Sequence, residues 1–211
     1  MGVFIAIPCS NYARYSSFWA TLQELERPAD SPVQLKVGPF IVNNQNGLGR
    51  SFLASGHEWF FLLNDDQIYP RHTLNQLLAH GKEAVCVVAL NRRPPHQPLL
   101  YDFLPEVGHF VQRRLADGEK GLIPVDGAGG GGLLLHRSVF EKVPAPWWEV
   151  KPFPNGDHGG EDLEFCRKMK DAGIQLWCDL ESPVGHVGDF AITPVRTEDG
   201  KWQIALNRTN A

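Results

Sequence analysis

A run of apolar residues that ends in adjacent acids is the strongest constraint on the fold of this chain. Residues 59–63 read Trp-Phe-Phe-Leu-Leu, and Asn64, Asp65 and Asp66 follow directly. An uninterrupted apolar run of this length predicts a strand buried on both faces, as in a parallel sheet. Ligands bind beyond the carboxyl ends of such strands, where paired acids suit Mg²⁺ or Mn²⁺ on a nucleotide diphosphate. A polar turn without a metal is the open alternative.

Apolar periodicity in the rest of the chain predicts alternating strands and helices. Pro8 is expected to stop the first strand, and a hairpin is expected at residues 192–206 around Asp199 and Gly200. This alternation favours an α/β fold with a doubly wound, mostly parallel sheet. We predict strands at residues 3–7, 35–37, 40–42, 84–90, 133–136 and 174–178, a turn at residues 43–47, and helices at residues 15–25, 48–56, 74–78 and 163–172.

Composition indicates one globular domain. The chain has 211 residues, of which 43% are hydrophobic and 21% charged, and a net charge of −4 gives no sign of general polyanion binding. Its four cysteines are far apart in sequence, so reduced thiols in a cytoplasmic protein are expected. No apolar run reaches membrane-spanning length, and the first residues lack the basic region of a signal peptide, so no membrane contact is expected.

A second acidic pair and a glycine-flanked histidine are further candidate site residues. Glu161 and Asp162 precede a helical pattern, where the helix dipole favours the ionised carboxylate and a general base is one reading. Plain N-capping is the other reading. His186 lies between Gly185 and Gly188, and with an upstream aspartate, diphosphate oxygens and water it would complete an octahedral Mn²⁺ shell.

Three other features have two readings each. The glycines at residues 129–132 are either a phosphate loop or a close packing contact beside a substrate pocket, and the absence of a following Lys-Ser/Thr favours packing. Trp147 and Trp148 are candidates for an acceptor-stacking platform, with burial as the alternative. The arginine pairs at residues 92–93 and 113–114 are either a basic rim for phosphates or solvated surface.

The order of these motifs resembles the GT-A glycosyltransferases, in particular family-two-like and short phage-encoded members. The resemblance covers the chain from about residue 3 to residue 188. Its carriers are Ile-Pro-Cys-Ser at residues 7–10, Asn-Gly-Leu-Gly-Arg-Ser at residues 46–51, Asn-Asp-Asp at residues 64–66 as a D-x-D-type motif, Glu-Asp at residues 161–162, and Gly-His-Val-Gly at residues 185–188.

The resemblance implies a role for each matching position. It implies a single GT-A domain, with a nucleotide-sugar-binding half at residues 1–90, an acceptor and catalytic half at residues 91–190, and a tail at residues 191–211. Asn64 replaces the first acid of the D-x-D motif, which puts metal affinity in doubt more than the fold. The implied roles are the uridine pocket for Pro8 and Ser10, nucleotide contact for Arg50, the nucleotide sugar for Asn64 and Asp65, Mn²⁺ or Mg²⁺ binding for Asp66 and His186, the general base for Asp162, and acceptor orientation or a substitute base for Glu161.

The activity implied is metal-dependent transfer of a sugar from a UDP-sugar donor to an acceptor hydroxyl. Transfer with inversion at the anomeric carbon is favoured because Asp162 could act as the general base. The segment around Glu161 also resembles the corresponding segment of some retaining enzymes. The acceptor expected from the phage-encoded relatives is a hydroxymethylated base in DNA, in which case the protein acts in the host cytoplasm. The alternatives are a surface glycan or protein hydroxyl as acceptor, and a non-catalytic sugar-nucleotide-binding module.

Overall fold

The computed structural model describes residues 2–9, 15–106, 108–152, 160–188 and 190–208. None of the helices in these ranges is both long and apolar enough to cross a bilayer. The helices are α1 (Ser16–Glu24), α2 (Ile41–Ser55), α3 (Thr73–Ala79), α4 (Arg137–Lys142) and α5 (Glu161–Asp171). The strands are β1 (Val3–Cys9), β2 (Val33–Val37), β3 (Trp59–Leu62), β4 (Gln67–Ile68), β5 (Ala84–Val88), β6 (Leu100–Leu104), β7 (His109–Gln112), β8 (Leu122–Val125), β9 (Gly127–Ala128), β10 (Leu133–His136), β11 (Leu176–Pro183), β12 (Gly185–Val187), β13 (Phe190–Arg196) and β14 (Trp202–Arg208).

The centre of the molecule is a seven-stranded sheet with the order β2-β1-β3-β10-β5-β11-β8. Strand β1 pairs in parallel with β2 and β3, and β5 pairs in parallel with β11. Strand β10 runs antiparallel between β3 and β5, and β8 runs antiparallel along β11. The predicted α/β fold with a mostly parallel central sheet is therefore confirmed.

Apolar side chains cover both faces of this sheet. All seven residues of β1 and all five of β5 are buried. In β3, Phe60 belongs to the cluster under α2 and α4, whereas Phe61 belongs to the cluster under α1 and α3. Neighbouring residues of a strand point to opposite faces, so a continuous apolar run is the pattern that a doubly covered strand requires.

Two small sheets extend the molecule beyond the central one. Strands β13 and β14 form the predicted C-terminal hairpin, with Gly200 at its turn in the left-handed region (φ 81°). This hairpin continues through β12 to β4, which begins directly after Asp66. The third sheet has the order β7-β6-β9. The sheet containing β12 and β4 therefore brings the late part of the chain to the acidic turn.

Helix α2 differs from the prediction of a strand at residues 40–42 and a turn at residues 43–47. It begins at Ile41 and continues to Ser55 without a break. The run of Asn and Gln residues indicates a turn in sequence because short amide side chains compete for the local backbone. Here the amides of Asn44 and Asn46 are hydrogen-bonded to distant backbone groups, which removes that competition.

Pro8 does not stop the first strand as predicted, because β1 continues to Cys9. Pairing of β1 with β3 ends in register at Ala6 and Leu62, with one further backbone bond from Leu63 N–H to the Ala6 carbonyl (2.9 Å). Pro8 lies beyond that point, in register with Lys36 of β2. A proline is tolerated where its missing N–H would have no partner on the neighbouring strand.

The glycine run at residues 129–132 leads directly into β10, and its last residue, Gly132, lies in close contact with Val87 of β5. Gly132 has a φ of 72°, and a Cβ built on it would lie 2.4 Å from Cγ2 of Val87. Its N–H donates to the Leu62 carbonyl (2.9 Å), and its carbonyl accepts from Val87 N–H (3.1 Å). The position therefore requires glycine for two reasons, backbone conformation and lack of space.

We expect Gly132→Ala to destabilise the protein more than Gly56→Ala does. Gly56 ends α2 with a φ of 77° and has no atom within 4 Å of a built Cβ, so alanine there incurs only the left-handed backbone penalty of roughly 1–2 kcal/mol. Gly132→Ala adds the clash with Val87, which we expect to cost about 1–3 kcal/mol more. Denaturant unfolding of both variants measures the difference, and equal losses would contradict the close contact.

Candidate functional site

Two neighbouring cavities open at the carboxyl ends of the parallel strands. The first, which we call the β1–β3 cavity, has a volume of about 330 Å³ and is lined by the end of β1, by residues that follow β2 and β3, and by residues of α2 and α5. The second, which we call the glycine-run cavity, has a volume of about 410 Å³ and is lined by residues 129–131 and by Tyr101. Asn64 and Asp66 line both cavities, so the acidic turn after β3 is their common wall.

The acidic turn is held by a buried tyrosine. The Tyr69 hydroxyl accepts a hydrogen bond from Asn64 N–H (3.0 Å) and donates one to Gln67 Oε1 (2.6 Å). Burial raises the pKa of Tyr69 well above its usual value, with the nearby Asp66 and Asp65 carboxylates adding to the shift. The phenol therefore stays protonated and keeps both bonds, which fixes the backbone from which Asp65 and Asp66 project.

Strand pairing brings His186 to Asp66 although 119 residues separate them in sequence. In the β12–β4 pair His186 lies opposite Gln67, and Val187 N–H donates to the Asp66 carbonyl (2.7 Å). Nε2 of His186 is then 3.6 Å from Oδ2 of Asp66. Arg92 contacts the same carboxylate oxygen through NH1 at 3.1 Å and lines the glycine-run cavity.

The donor atoms at this pair fit a divalent cation. Nδ1 of His186 lies 2.8 Å from the Leu90 carbonyl, which can only accept, so Nδ1 carries the proton. In the neutral imidazole the Nε2 lone pair then lies beside a carboxylate oxygen, and a nitrogen and an oxygen in this arrangement could both bind a cation, which would share the Asp66 oxygen with Arg92. Within the described residues no group of three or more His, Cys, Asp or Glu side chains converges as a metal site. The remaining ligands would have to be oxygens of a bound molecule or water.

Asp162 lies in the first turn of α5, one residue after Glu161. It is not the N-cap, a position held by Gly160. Its Oδ2 accepts from Gly130 N–H (2.8 Å), and its Oδ1 is 3.5 Å from Nε2 of Gln45. A Cβ on Gly130 would lie 2.3 Å from Oδ1, so the glycine run allows this contact. The structure thus supports close packing beside a pocket as the role of the glycines.

The sequence-based expectation that the helix dipole keeps Asp162 ionised is wrong. Burial, followed by the Glu161 charge, raises the pKa of Asp162 to about 7, against its usual 3.8, although Gly130 and Gln45 donate to it. The dipole of a helix terminus contributes only about half a kcal/mol, whereas desolvation of a carboxylate is a larger effect. A carboxyl with this pKa can accept and release a proton near neutral pH.

The two acids of the Glu-Asp motif face different cavities. Glu161 lines the β1–β3 cavity, and Asp162 lines the glycine-run cavity. Their carboxylates therefore border the same wall from opposite sides, with Asn64 and Asp66 between the two cavities.

Of the residues predicted to contact a nucleotide, three line the β1–β3 cavity: Pro8, Asn64 and Asp65. Ser10 lies outside the described residues. Arg50 is exposed on α2 and is not among the residues that line either cavity. It lies five residues from Gln45, which does line the first cavity, and five residues place two side chains on different faces of a helix.

The prediction that Trp147 and Trp148 form an acceptor platform is wrong. They are 4% and 1% exposed. Trp147 Nε1 donates to the Val143 carbonyl (3.0 Å), and the Trp148 ring lies 4.5 Å from the Phe165 ring, centroid to centroid. Both rings bury their apolar area in the core beneath α2 and α5, so neither presents a face to a ligand.

Sequence reasoning missed several residues that line the cavities. Gly38 and Pro39 follow β2 and could have been found from their position at the end of a parallel strand. Gln45 was assigned to a turn, and its place on the cavity side of α2 follows only from the helix. Tyr101 belongs to β6, which sequence analysis left unassigned, and it lines the glycine-run cavity.

Comparisons with known proteins identify the fold. No protein-family model and no curated protein matches the chain. Among solved structures, A197 from STIV is 17% identical with a TM-score of 0.61, over 99% of this chain and 95% of that one. TarS 1-349 from S. aureus, solved in complex with UDP-GlcNAc, is 10% identical with a TM-score of 0.54, over 84% of this chain and 56% of that one. The protein has a GT-A-like α/β fold.

We expect Asp162→Asn to stabilise the folded protein above about pH 7 but not near pH 4. With a pKa of about 7 in the folded state and 3.8 when exposed, Asp162 keeps a proton that the unfolded chain loses, so wild-type stability falls as the pH rises through this window. The asparagine variant has no such loss. Denaturant unfolding of both proteins across this pH range measures the gain.

The matched control for this experiment is Asp171→Asn at the other end of α5. Asp171 is 63% exposed and pairs with Arg167, so its replacement makes the same chemical change on the same helix without altering a buried carboxyl group. A gain for Asp162→Asn that is the same at every pH would contradict the raised pKa.

Proposed function

We propose that this protein is a glycosyltransferase that moves a sugar from a UDP-sugar donor to an acceptor hydroxyl. The observation that carries the proposal is the common wall of the two cavities, where Asp66 and His186 converge and Asp162 lies close by. The fold shared with TarS, which was solved with UDP-GlcNAc, supports a nucleotide sugar as the donor. In this arrangement the nucleoside fills the β1–β3 cavity, the diphosphate lies at the common wall beside Asp66, and the acceptor enters the glycine-run cavity, which His186 also lines.

The donor site combines backbone loops with acids. Pro8 would pack beside the base, and Asn64 and Asp65 would contact the ribose or the donor sugar. Asp66 and His186 would hold Mn²⁺ or Mg²⁺ against the diphosphate. The cation, when bound, stabilises the negative charge on the departing UDP. Arg92, on the same Asp66 oxygen, adds a fixed positive charge at this position.

Asp162 is proposed as the general base of an inverting displacement. It would accept the proton of the acceptor hydroxyl as that oxygen bonds to the anomeric carbon and UDP leaves with the electron pair of the broken bond. Its pKa of about 7 suits proton transfer at neutral pH. Residues 129–131 line the same cavity as Asp162, so an acceptor in that cavity would reach the carboxylate, and Glu161, which lines the other cavity, would orient the reacting groups.

The acceptor is proposed as an alcohol small enough to enter the glycine-run cavity. A hydroxymethylated base in DNA, a glycan and a protein hydroxyl all meet this condition. One arginine of each pair is engaged by acids, Arg92 by Asp66 and Arg113 by Asp102 and Glu119, whereas Arg93 and Arg114 are exposed, so the arginine pairs do not choose among these acceptors. An assay of sugar transfer should therefore offer acceptors of all three classes, which we call the acceptor panel.

We expect UDP to bind tightly in the presence of Mn²⁺ and much more weakly in the Asp66→Ala variant. Asp66 is the only carboxylate facing His186 in the described part of the site, so its removal leaves the cation with one protein ligand. Calorimetric titration with and without Mn²⁺ measures the effect, and the control is Asp102→Ala, which removes a half-buried acid that pairs with Arg113 outside both cavities. Equal UDP binding without metal would refute the metal site, and no binding in any condition would refute the donor site.

We expect Asp162→Asn to abolish transfer from UDP-GlcNAc while leaving UDP affinity nearly unchanged, because the carboxylate borders the acceptor cavity. UDP release with the acceptor panel measures transfer. Glu164→Gln is the matched control, since Glu164 lies on the same helix but pairs with Lys151 and Arg167. Normal turnover of Asp162→Asn would exclude this residue as the base. UDP binding by wild type with no release for any acceptor would instead favour a non-catalytic sugar-nucleotide-binding module.

A further inference from the structure

Three consecutive residues of α2 carry buried amides. Asn44, Gln45 and Asn46 are 3%, 2% and 7% exposed. Successive residues of a helix point about 100° apart, so the three amides reach three different parts of the structure. A buried amide is unfavourable unless its polar atoms are hydrogen-bonded, and the partners of each amide therefore indicate its role.

The two outer amides join segments of the fold. Nδ2 of Asn44 donates to the carbonyls of Cys9 (2.9 Å), the last residue of β1, and of Gly38 (3.0 Å), which follows β2. Nδ2 of Asn46 donates to the Trp148 carbonyl (2.6 Å), and its Oδ1 accepts from Trp147 N–H (2.8 Å). Asn44 donates to two backbone carbonyls, and Asn46 both donates to and accepts from backbone groups, which is a structural role for each.

Gln45 lacks such backbone partners. Its Nε2 is directed at Oδ1 of Asp162 at 3.5 Å, and its Oε1 has no hydrogen-bond partner among the described residues. The side chain lines the β1–β3 cavity together with Glu161 and Asp65. The amide oxygen thus has no protein partner among these residues, which is unfavourable for a buried group, and the amide nitrogen contacts the carboxylate beside the second cavity.

We propose that Gln45 is a positioning residue that orients the Asp162 carboxylate toward the glycine-run cavity. Two donors hold that carboxylate, Gly130 N–H on Oδ2 and Gln45 Nε2 on Oδ1. Gly130 belongs to the acceptor side and Gln45 to the nucleotide side, so Gln45 links the two cavities. The role of Asp162 as base rests on the proposed function, whereas the hydrogen bond itself does not.

The hydrogen bond from Gln45 shifts the pKa of Asp162 in a defined direction. A donor to the ionised carboxylate stabilises that form and lowers the pKa of Asp162, opposing the larger effects of burial and of Glu161. Removal of the amide therefore raises the pKa of Asp162 above about 7. A residue that served only to fill space would leave the titration of Asp162 unchanged.

The test is the titration of Asp162 in wild type and in Gln45→Leu, followed by the ¹³C shift of labelled aspartate carboxyl groups. The Asp162 signal is identified by its absence from the Asp162→Asn spectrum. We expect the midpoint to rise by roughly half a pH unit to one unit in Gln45→Leu, as the loss of a hydrogen bond to a charged group predicts. An unchanged or lower midpoint would overturn the proposal.

Gln76→Leu is the matched control. Nε2 of Gln76 donates to Oδ2 of the buried Asp179 (2.9 Å), so the same chemical change is made at a glutamine–aspartate pair outside both cavities. The Asp162 midpoint should stay at its wild-type value, and a shift as large as that of Gln45→Leu would overturn the proposal. Gln45→Met, which keeps an unbranched side chain, serves if the leucine variant fails to fold.

A kinetic measurement separates this proposal from the proposed function. If Asp162 is the base, the acid limb of the pH–rate profile moves to higher pH in Gln45→Leu, with a loss of roughly three- to tenfold below the wild-type midpoint and recovery at high pH. The KM for UDP-GlcNAc is measured in the same experiment, because Gln45 also lines the cavity proposed for the donor. Absence of transfer by wild type would refute the transferase while the carboxyl titration still decided the role of Gln45.

Discussion

The site depends on three consecutive glycines, at residues 130–132, whose backbone packs closely against three different elements of the fold. A Cβ at Gly132 would meet Val87 of β5, at Gly131 it would meet Gln67 of β4, and at Gly130 it would meet Asp162 of α5. The antiparallel strand β10 that follows this run fills the place between β3 and β5. Bare backbone at these positions thus completes the central sheet, supports the acidic turn and donates a hydrogen bond to the proposed base in one continuous segment.

The unusual ionisation of Asp162 follows from this packing. The carboxyl is enclosed between α5, the glycine run and Gln45, and it has the Glu161 charge as its neighbour in sequence. Two hydrogen-bond donors favour the ionised form, and they do not outweigh desolvation and like charge. The result is a pKa of about 7, which is a useful value for a group that must take a proton from an alcohol at neutral pH.

The sequence predicted those parts of the structure that rest on local patterns. The apolar run before Asn64 predicted β3 and its acids, and the glycine-bounded turn predicted the C-terminal hairpin. The parts it missed depend on distant partners. The local pattern around Asn44 and Asn46 indicated a turn, because the backbone groups that satisfy their amides lie up to 102 residues away in sequence. Trp147 was predicted to bind an acceptor because its burial under α2 depends on tertiary packing, which the local sequence does not show. The link between Asp66 and His186 was suggested by resemblance, and strand register is what explains it.

Asn64 in place of the first acid of the motif agrees with the electrostatics of the site. Asp66 and Glu161 both raise the pKa of Asp162, so the site already carries like charges close to the proposed base. A further carboxylate at position 64, which borders both cavities, would add another negative charge at this wall. That charge would raise the pKa of Asp162 further and leave less of it ionised at neutral pH. An amide keeps hydrogen-bonding capacity at this position without that cost, while Asp66 and His186 stay in place for the cation.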